Sequence, residues 1–178
     1  MNLYLKSVLA IGVPLTLFMV MLCIYLGASA DEIVYFGALA FAIFGGVGLV
    51  FSFIQVILTK RMQPENPEDA QKVRHVREIE LQLPYNDAFN VCCESLASIQ
   101  CCAITKKDLL QGKIVADAGP SWRSYGEVIT FDIEQVDAWR THVRVLSRPF
   151  IPTTLIDWGK NLQNVQKVAQ YLRERGGT

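Results

Sequence analysis

The sequence predicts a membrane α-helical hairpin joined to a soluble α+β domain, in which an antiparallel sheet (β-α-β-β-β-β-α) carries its helices on one face. Three observations predict it. Of 17 basic and 17 acidic side chains, only Lys6, Asp31 and Glu32 precede position 59. Two uncharged stretches, residues 8–26 and 33–58, are each long enough at ~1.5 Å per residue to cross a hydrocarbon core of ~30 Å. From residue 76 onward, apolar residues recur with the period of strands or of helices. The chain therefore divides into two transmembrane helices within residues 1–60, a polar linker over 61–75 and an α+β domain over 76–178.

Between the spans lie only residues 27–32, a tight turn whose charges are Asp31 and Glu32. Lys6 precedes the first span, and Lys60 and Arg61 follow the second. The positive-inside bias then puts both termini in the cytoplasm, and an integral protein of a bacterial inner membrane is expected. Lys6, the apolar run and Ala28-Ser29-Ala30 also imitate a signal peptide. The run of 19 residues exceeds the ~7–15 of a signal core, however, and a second span follows at once. Ala38, Ala42 and Gly46, widened by Gly45 and Gly48, form a small-xxx-small stripe suited to close helix packing, either against the first span or against a membrane-protein partner or a second copy. Neither span holds an ionisable residue, the usual mark of an ion or proton route.

In the linker, Asn66 before Pro67, Glu68 and Asp69 reads as the start of a short helix. Ile79, Leu81 and Leu83 then alternate with Glu78, Glu80 and Gln82, a half-buried strand stopped by Pro84. Asn86 is expected to cap a helix whose Phe89, Cys92, Cys93, Leu96 and Ile99 fall at helical spacing. Four strands follow, at residues 101–106, 113–118, 127–134 and 139–147. In the last two, Ile129, Phe131, Ile133 and Thr141, Val143, Val145 share one face. Asp132 and Glu134 meet Arg140, His142 and Arg144 on the other, the side toward water. Residues 161–175 form an amphipathic helix with Leu162, Val165, Val168, Ala169 and Leu172 inward, ended by Gly176-Gly177.

This order, opening with a strand, Leu83-Pro84 and a helix near Asp87-Ala88-Phe89, resembles a reduced helix-grip domain of the polyketide-cyclase and START type. The run Val143-Arg144-Val145-Leu146-Ser147-Arg148, followed by Asp157-Trp158-Gly159-Lys160-Asn161, is similar to an uncharacterised bacterial family of unknown function. In that family the last strand ends in Ser-Arg and the last helix opens with Asp-x-Gly-x-Asn. The insert over residues 149–156 and the membrane hairpin depart from it. The helix-grip resemblance implies a domain that binds a lipid or another apolar ligand.

The formal net charge is zero, which removes the basic footprint that nucleic-acid binding requires. Cys92-Cys93 and Cys101-Cys102 are adjacent pairs, whose sulfurs diverge by ~100° on a helix and point oppositely on a strand. They do not match a zinc site, so no metal or cofactor is expected; core packing is the first reading and a thiol pair of Cys93 with Cys102 the other. His75 and His142 stand far apart, and no nucleophile motif or phosphate loop follows a strand. Gly45-Gly46-Val47-Gly48 lies inside an apolar span. Two loops carry the composition of recognition surfaces: one with Trp122, Arg123 and Tyr125, the other with Arg148, Asp157, Trp158, Lys160 and Asn161. The same aromatics could close the sheet, and Asp157 could cap the last helix or, with Lys160, leave its N-terminus to an anion. The expected function is that of a non-enzymatic membrane-anchored module that docks on a membrane-protein partner or on itself, within the lipid bilayer. Lipid carriage and thiol chemistry are the alternatives.

Overall fold

The computed structural model describes residues 3–62, 72–121 and 124–176. The short helix expected at Asn66, and the loop residues Trp122 and Arg123, lie outside them.

Helix α1 (Leu3–Tyr25) and helix α2 (Ala30–Arg61) are each long and apolar enough to cross a membrane. Gly27, at φ +76°, takes the left-handed turn that ends α1. Ser29 then starts α2 with a capping box: its hydroxyl accepts from the Glu32 N–H at 3.4 Å, and its own N–H donates to Glu32 Oε2 at 2.8 Å. Asp31 and Glu32, expected in the turn, thus form the first turn of α2, where acids favour the helix dipole; Lys60 and Arg61 occupy its last turn.

The two helices meet through small residues, at Gly45 and Gly48 that widen the stripe rather than at Ala38, Ala42 and Gly46 themselves. The face of α2 that is buried carries Gly37, Ala40, Gly45, Gly48 and Ser52. A Cβ on Gly48 would fall 2.7 Å from the Ser7 carbonyl oxygen, and one on Gly12 would fall 3.4 Å from the Gly45 Cα. Ala38 and Ala42 are exposed instead, and a Cβ on Gly46 would meet nothing within 4 Å. The reason lies on α1: Ser7 and Gly12 are its own narrow positions, and they select Gly48 and Gly45 as partners.

The α+β domain contains five antiparallel strands, β1 (His75–Leu81), β2 (Cys102–Asp108), β3 (Lys113–Ala118), β4 (Glu127–Gln135) and β5 (Thr141–Pro149), in the order β1-β5-β4-β3-β2. Between β1 and β2, which form opposite edges, run helix α3 (Tyr85–Ser95) and a 3-10 turn at Leu96–Ser98. Helix α4 (Lys160–Glu174) packs on β1 and β5, and α3 packs on β4 and α4, so both helices cover one face. Helix α3 starts two residues earlier than a cap at Asn86 implies. Pro84 is its N-cap, with its carbonyl accepting from the Ala88 N–H at 2.9 Å, and Asn86 lies in the first turn.

The interior between sheet and helices is one contiguous cluster. Leu81, Ile114, Ile129, Phe131, Val143 and Val145 of the sheet meet Phe89 of α3 and Leu162, Val165 and Leu172 of α4, all fully buried. On the water side, Arg144 lies opposite Asp132 in the ladder, yet its ion pair goes to Glu78 of β1 at 3.7 Å. His142 also faces Glu78, at 4.0 Å, and Lys113 faces Asp132, at 3.8 Å. Each such exposed pair contributes only some tenths of a kcal/mol, so the apolar interior carries the domain.

Gly48→Ala should lower the thermal midpoint of the protein in detergent, because backbone at 2.7 Å cannot yield as a side chain can. Gly46→Ala should leave it unchanged or raise it, since the new methyl meets open space and favours the helix. Equal effects of the two changes would place the α1 contact on the other row.

Candidate functional site

At the end of the domain beside α2, the chain returns from β5 to α4 across the flank of that helix. Ser52, Gln55 and Thr59 of α2 are all fully buried there. Gln55 Oε1 accepts from the backbone N–H of Asp157 at 3.0 Å, and Gln166 Nε2 donates to the Met62 carbonyl at 2.8 Å. The Phe51 and Trp158 rings meet edge-on, 5.9 Å apart. Trp158 and Gly159 both take left-handed backbone, at φ +51° and +73°. Glycine at 159 suits this left-handed backbone, and a Cβ there would also lie 2.9 Å from Met62 Sδ, the end of a flexible side chain that would have to shift. The left-handed Trp158 costs about 1 kcal/mol, offset by its contact with Phe51.

The Asp157 carboxylate closes the start of α4. Its Oδ1 accepts from Gly159 N at 3.1 Å, and its Oδ2 accepts from Asn161 N at 2.9 Å and from Asn161 Nδ2 at 2.8 Å. Asn161 Oδ1 in turn accepts from Ser147 Oγ at 2.7 Å, and Asn164 Nδ2 reaches the same hydroxyl at 3.4 Å. Glu127, the first residue of β4, is fully buried beside this chain and accepts from the Ser124 hydroxyl. Burial pushes the Glu127 carboxyl above its ordinary value, and the Asp157 charge adds to this. The Ser124 hydrogen bond, Lys160 and Asn164 pull the other way.

Beside this joint lies a groove of about 640 Å³. Ala10 and Ile11 of α1 form one wall. The other is made by Ser121, Ser124 and Tyr125 of the β3–β4 loop and by Ile151, Leu155, Ile156 and Trp158 of the β5–α4 loop. The Phe150 N–H, donating to the Gly126 carbonyl at 3.0 Å, ties the two loops together. Tyr125 (80% exposed) and Ile151 (40%) line it with exposed side chains, and Phe150 (59%) is exposed between the lining residues Pro149 and Ile151.

Of the residues singled out in the sequence, Tyr125 and Trp158 line this groove, while Asp157 and Asn161 are buried in the joint. Lys160 is half-buried at the start of α4, and Arg148 is half-buried at the end of β5, its Nη1 3.5 Å from the Pro149 carbonyl. The structure adds Gln55, Glu127 and Asn164 to the site, and gives Ser147, the Ser of the Ser-Arg strand end, a buried hydrogen bond. Their signals were present: Ser52, Gln55 and Thr59 make a polar row at helical spacing in an apolar helix. Glu127 and Ser147 share parity with Ile129 and Val145, which places them on the inward face.

All five cysteines are free. Cys92 is buried and its thiol is pushed well above the usual range, first by burial and then by Cys93. Burial also pushes Cys102 up, followed by the charges of Asp117 and Glu127. Neither surroundings favours the thiolate that thiol chemistry needs. Among the described residues, no three His, Cys, Asp or Glu side chains converge as a metal site requires.

No protein-family profile matches the chain, and no curated protein matches it in sequence. Solved structures of similar outline include the di-domain aromatase/cyclase BexL from the BE-7585A biosynthetic pathway, at 13% identity and a TM-score of 0.43, covering 57% of this chain and 45% of that one. The Zhui aromatase/cyclase from Streptomyces sp. R1128 matches at 9% identity and a TM-score of 0.41, covering 57% and 92%. A START superfamily protein from Mycobacterium smegmatis matches at 9% identity and a TM-score of 0.36, covering 57% and 98%. The chain thus spans less than half the length of BexL. The likeness to cyclase and START structures is of the kind the element order suggested, at low identity; the Ser-Arg and Asp-x-Gly-x-Asn pattern finds no matching profile.

Glu127 makes stability depend on pH. Its carboxyl titrates higher folded than unfolded, so the folded state holds the extra proton and stability falls as pH rises from about 4.5, the ordinary value, through the raised one. Glu127→Gln keeps the shape and removes the charge. Thermal midpoints of the variant and the parent should coincide at pH 4, and the variant should be the more stable at pH 7. Parallel curves across the range would mean that Glu127 ionises in the folded protein as freely as in the unfolded one.

Proposed function

We propose that the chain is a membrane-anchored, non-enzymatic binding module. The α1–α2 hairpin lies in the bilayer with both termini in the cytoplasm, and the α+β domain is held against its cytoplasmic end. The carrying observation is the buried contact of Gln55 with the Asp157 backbone, which fixes the domain on α2 rather than leaving it on a free tether. At ~1.5 Å per residue the 32 residues of α2 extend about 48 Å, some 18 Å more than the ~30 Å hydrocarbon core. Measured from the acids of its first turn, the excess is the last three turns, which hold Gln55, Thr59, Lys60 and Arg61. Their polarity suits a stalk in the headgroup layer and beyond it.

The binding face is the groove between α1 and the loops, lined by Tyr125 and Ile151, with Phe150 exposed between lining residues. Supporting this is the filling of the other candidate place: the space between sheet and α4, where a helix-grip carrier would hold its ligand, is occupied by Phe131, Leu162 and their neighbours. Exposed aromatics at a rim of hydroxyls, on rigid neighbours, suit recognition rather than chemistry.

A photo-crosslinking amino acid at Tyr125 should form an adduct with a partner or lipid in cells. The same group at Val136, also exposed (52%) but outside the groove lining, should form none. Absence of any adduct at Tyr125, or equal adducts at both positions, would contradict a binding face there.

A further inference from the structure

The groove is bounded on one side by a helix of the anchor itself, so its occupant is drawn from whatever surrounds that helix. On the reading of the hairpin as a membrane anchor and the groove as its binding face, we propose that the groove holds one anionic phospholipid of the adjoining leaflet. An acyl chain lies along Ala10 and Ile11, and the phosphate is directed to Lys6.

Depth comes first. Lys6 and Ala10 are four residues apart on α1, hence on the same side of the helix and about 6 Å apart along its axis. Lysine at that position extends its ammonium toward the headgroups, which puts Ala10 and Ile11 just beneath them. The β5–α4 loop reaches that depth with Ile151, Leu155 and Ile156, while Phe150 and Ile151 remain exposed beside it. Apolar loop tips of this kind bury ~5–10 Å into the boundary between headgroups and acyl chains.

Size decides between a lipid and a protein segment. A helix about 10 Å across would fill about 640 Å³ in only some 8 Å of its length, little more than one turn. The narrow width of an acyl chain fits where a partner helix does not. Chemistry agrees with the size. The aliphatic wall of Ala10, Ile11, Leu155 and Ile156 suits a chain, and the hydroxyls of Thr153 and Thr154 on the same groove are donors for phosphate or glycerol-ester oxygens. Lys6 supplies the positive charge on the α1 side.

The full chain in mild detergent, titrated with dioleoylphosphatidylglycerol or dioleoylphosphatidylcholine and observed by native mass spectrometry, tests this. The parent protein should retain one phosphatidylglycerol at low lipid. Ala10→Trp, at an exposed position of α1, should reduce that adduct more than tenfold without lowering the thermal midpoint, and Thr154→Trp on the facing wall should do the same. Lys6→Gln should cut the preference for phosphatidylglycerol over phosphatidylcholine about fivefold, or ~1 kcal/mol. Adducts of both lipids that accumulate alike in the parent and in both Trp variants would overturn the proposal, since they would be ordinary surrounding lipid. Protein-only adducts from the Tyr125 crosslinker would overturn the lipid while leaving the binding module standing. No adduct of either kind would remove both.

Discussion

Among the described residues, a hydrogen bond from the backbone N–H of Asp157 to the side chain of Gln55, 102 residues earlier in sequence, joins the two halves of the chain, beside a second from Gln166 to the Met62 carbonyl. An apolar helix that buries a glutamine must supply it with a partner, because an unpaired amide in such surroundings costs a few kcal/mol. The partner here is the turn that begins α4. The same turn then dictates its own sequence: glycine at 159, because the backbone there is left-handed at φ +73°, and a tryptophan at 158 that accepts left-handed backbone and meets Phe51. Asp-x-Gly-x-Asn is thus the chemical form of a joint between helix and domain. Asp157 caps, Gly159 makes the left-handed turn, and Asn161 passes the hydrogen-bond chain on to Ser147.

The chain of buried polar groups continues from Ser147 through Asn164 to the neighbourhood of Glu127. An apolar set of residues could fill this volume at least as stably, since burying a carboxylate is expensive. What polar partners add is a single register. Gln55 Oε1, Asp157, Asn161 and Ser147 are linked by hydrogen bonds in this seating of the domain on α2, and that seating brings the β5–α4 loop beside Ala10 and Ile11. The groove therefore exists because the joint exists. Its walls come from parts of the chain separated by more than a hundred residues, and neither half alone would form it.

The architecture was legible in the sequence because it rests on periodicity. Strand faces at 129–133 and 141–145 and the apolar stripe of α4 read directly, since each is a local pattern with a burial consequence. Helix contact was less legible. The row Ala38, Ala42, Gly46 is as regular as the one used, but packing between two helices depends on both, and Ser7 with Gly12 on α1 chooses Gly45 and Gly48. The joint was hardest to read, because its members are single residues dispersed over both halves. Glutamine in an apolar run, or glutamate at the head of a strand, states only that a partner is needed, and the fold alone says which. The loop aromatics fall between these cases: Tyr125 and Trp158 share a groove because the antiparallel β4–β5 pair sets the start of one strand beside the end of the other.

The central claim is that the domain is fixed on the hairpin by this joint. It is tested most directly by the distance between spin labels at Val50 on α2 and Val136 on the β4–β5 turn, both exposed, in a cysteine-free background reconstituted in nanodiscs. Pulsed electron resonance should give one narrow distance distribution for the parent sequence. The distribution should broaden when Gln55→Ala removes the side chain that Asp157 binds, with the near-ultraviolet spectrum of the domain unchanged. A broad distribution in the parent, or a narrow one indifferent to Gln55, would show that the domain hangs from the hairpin by its linker and that no fixed groove exists.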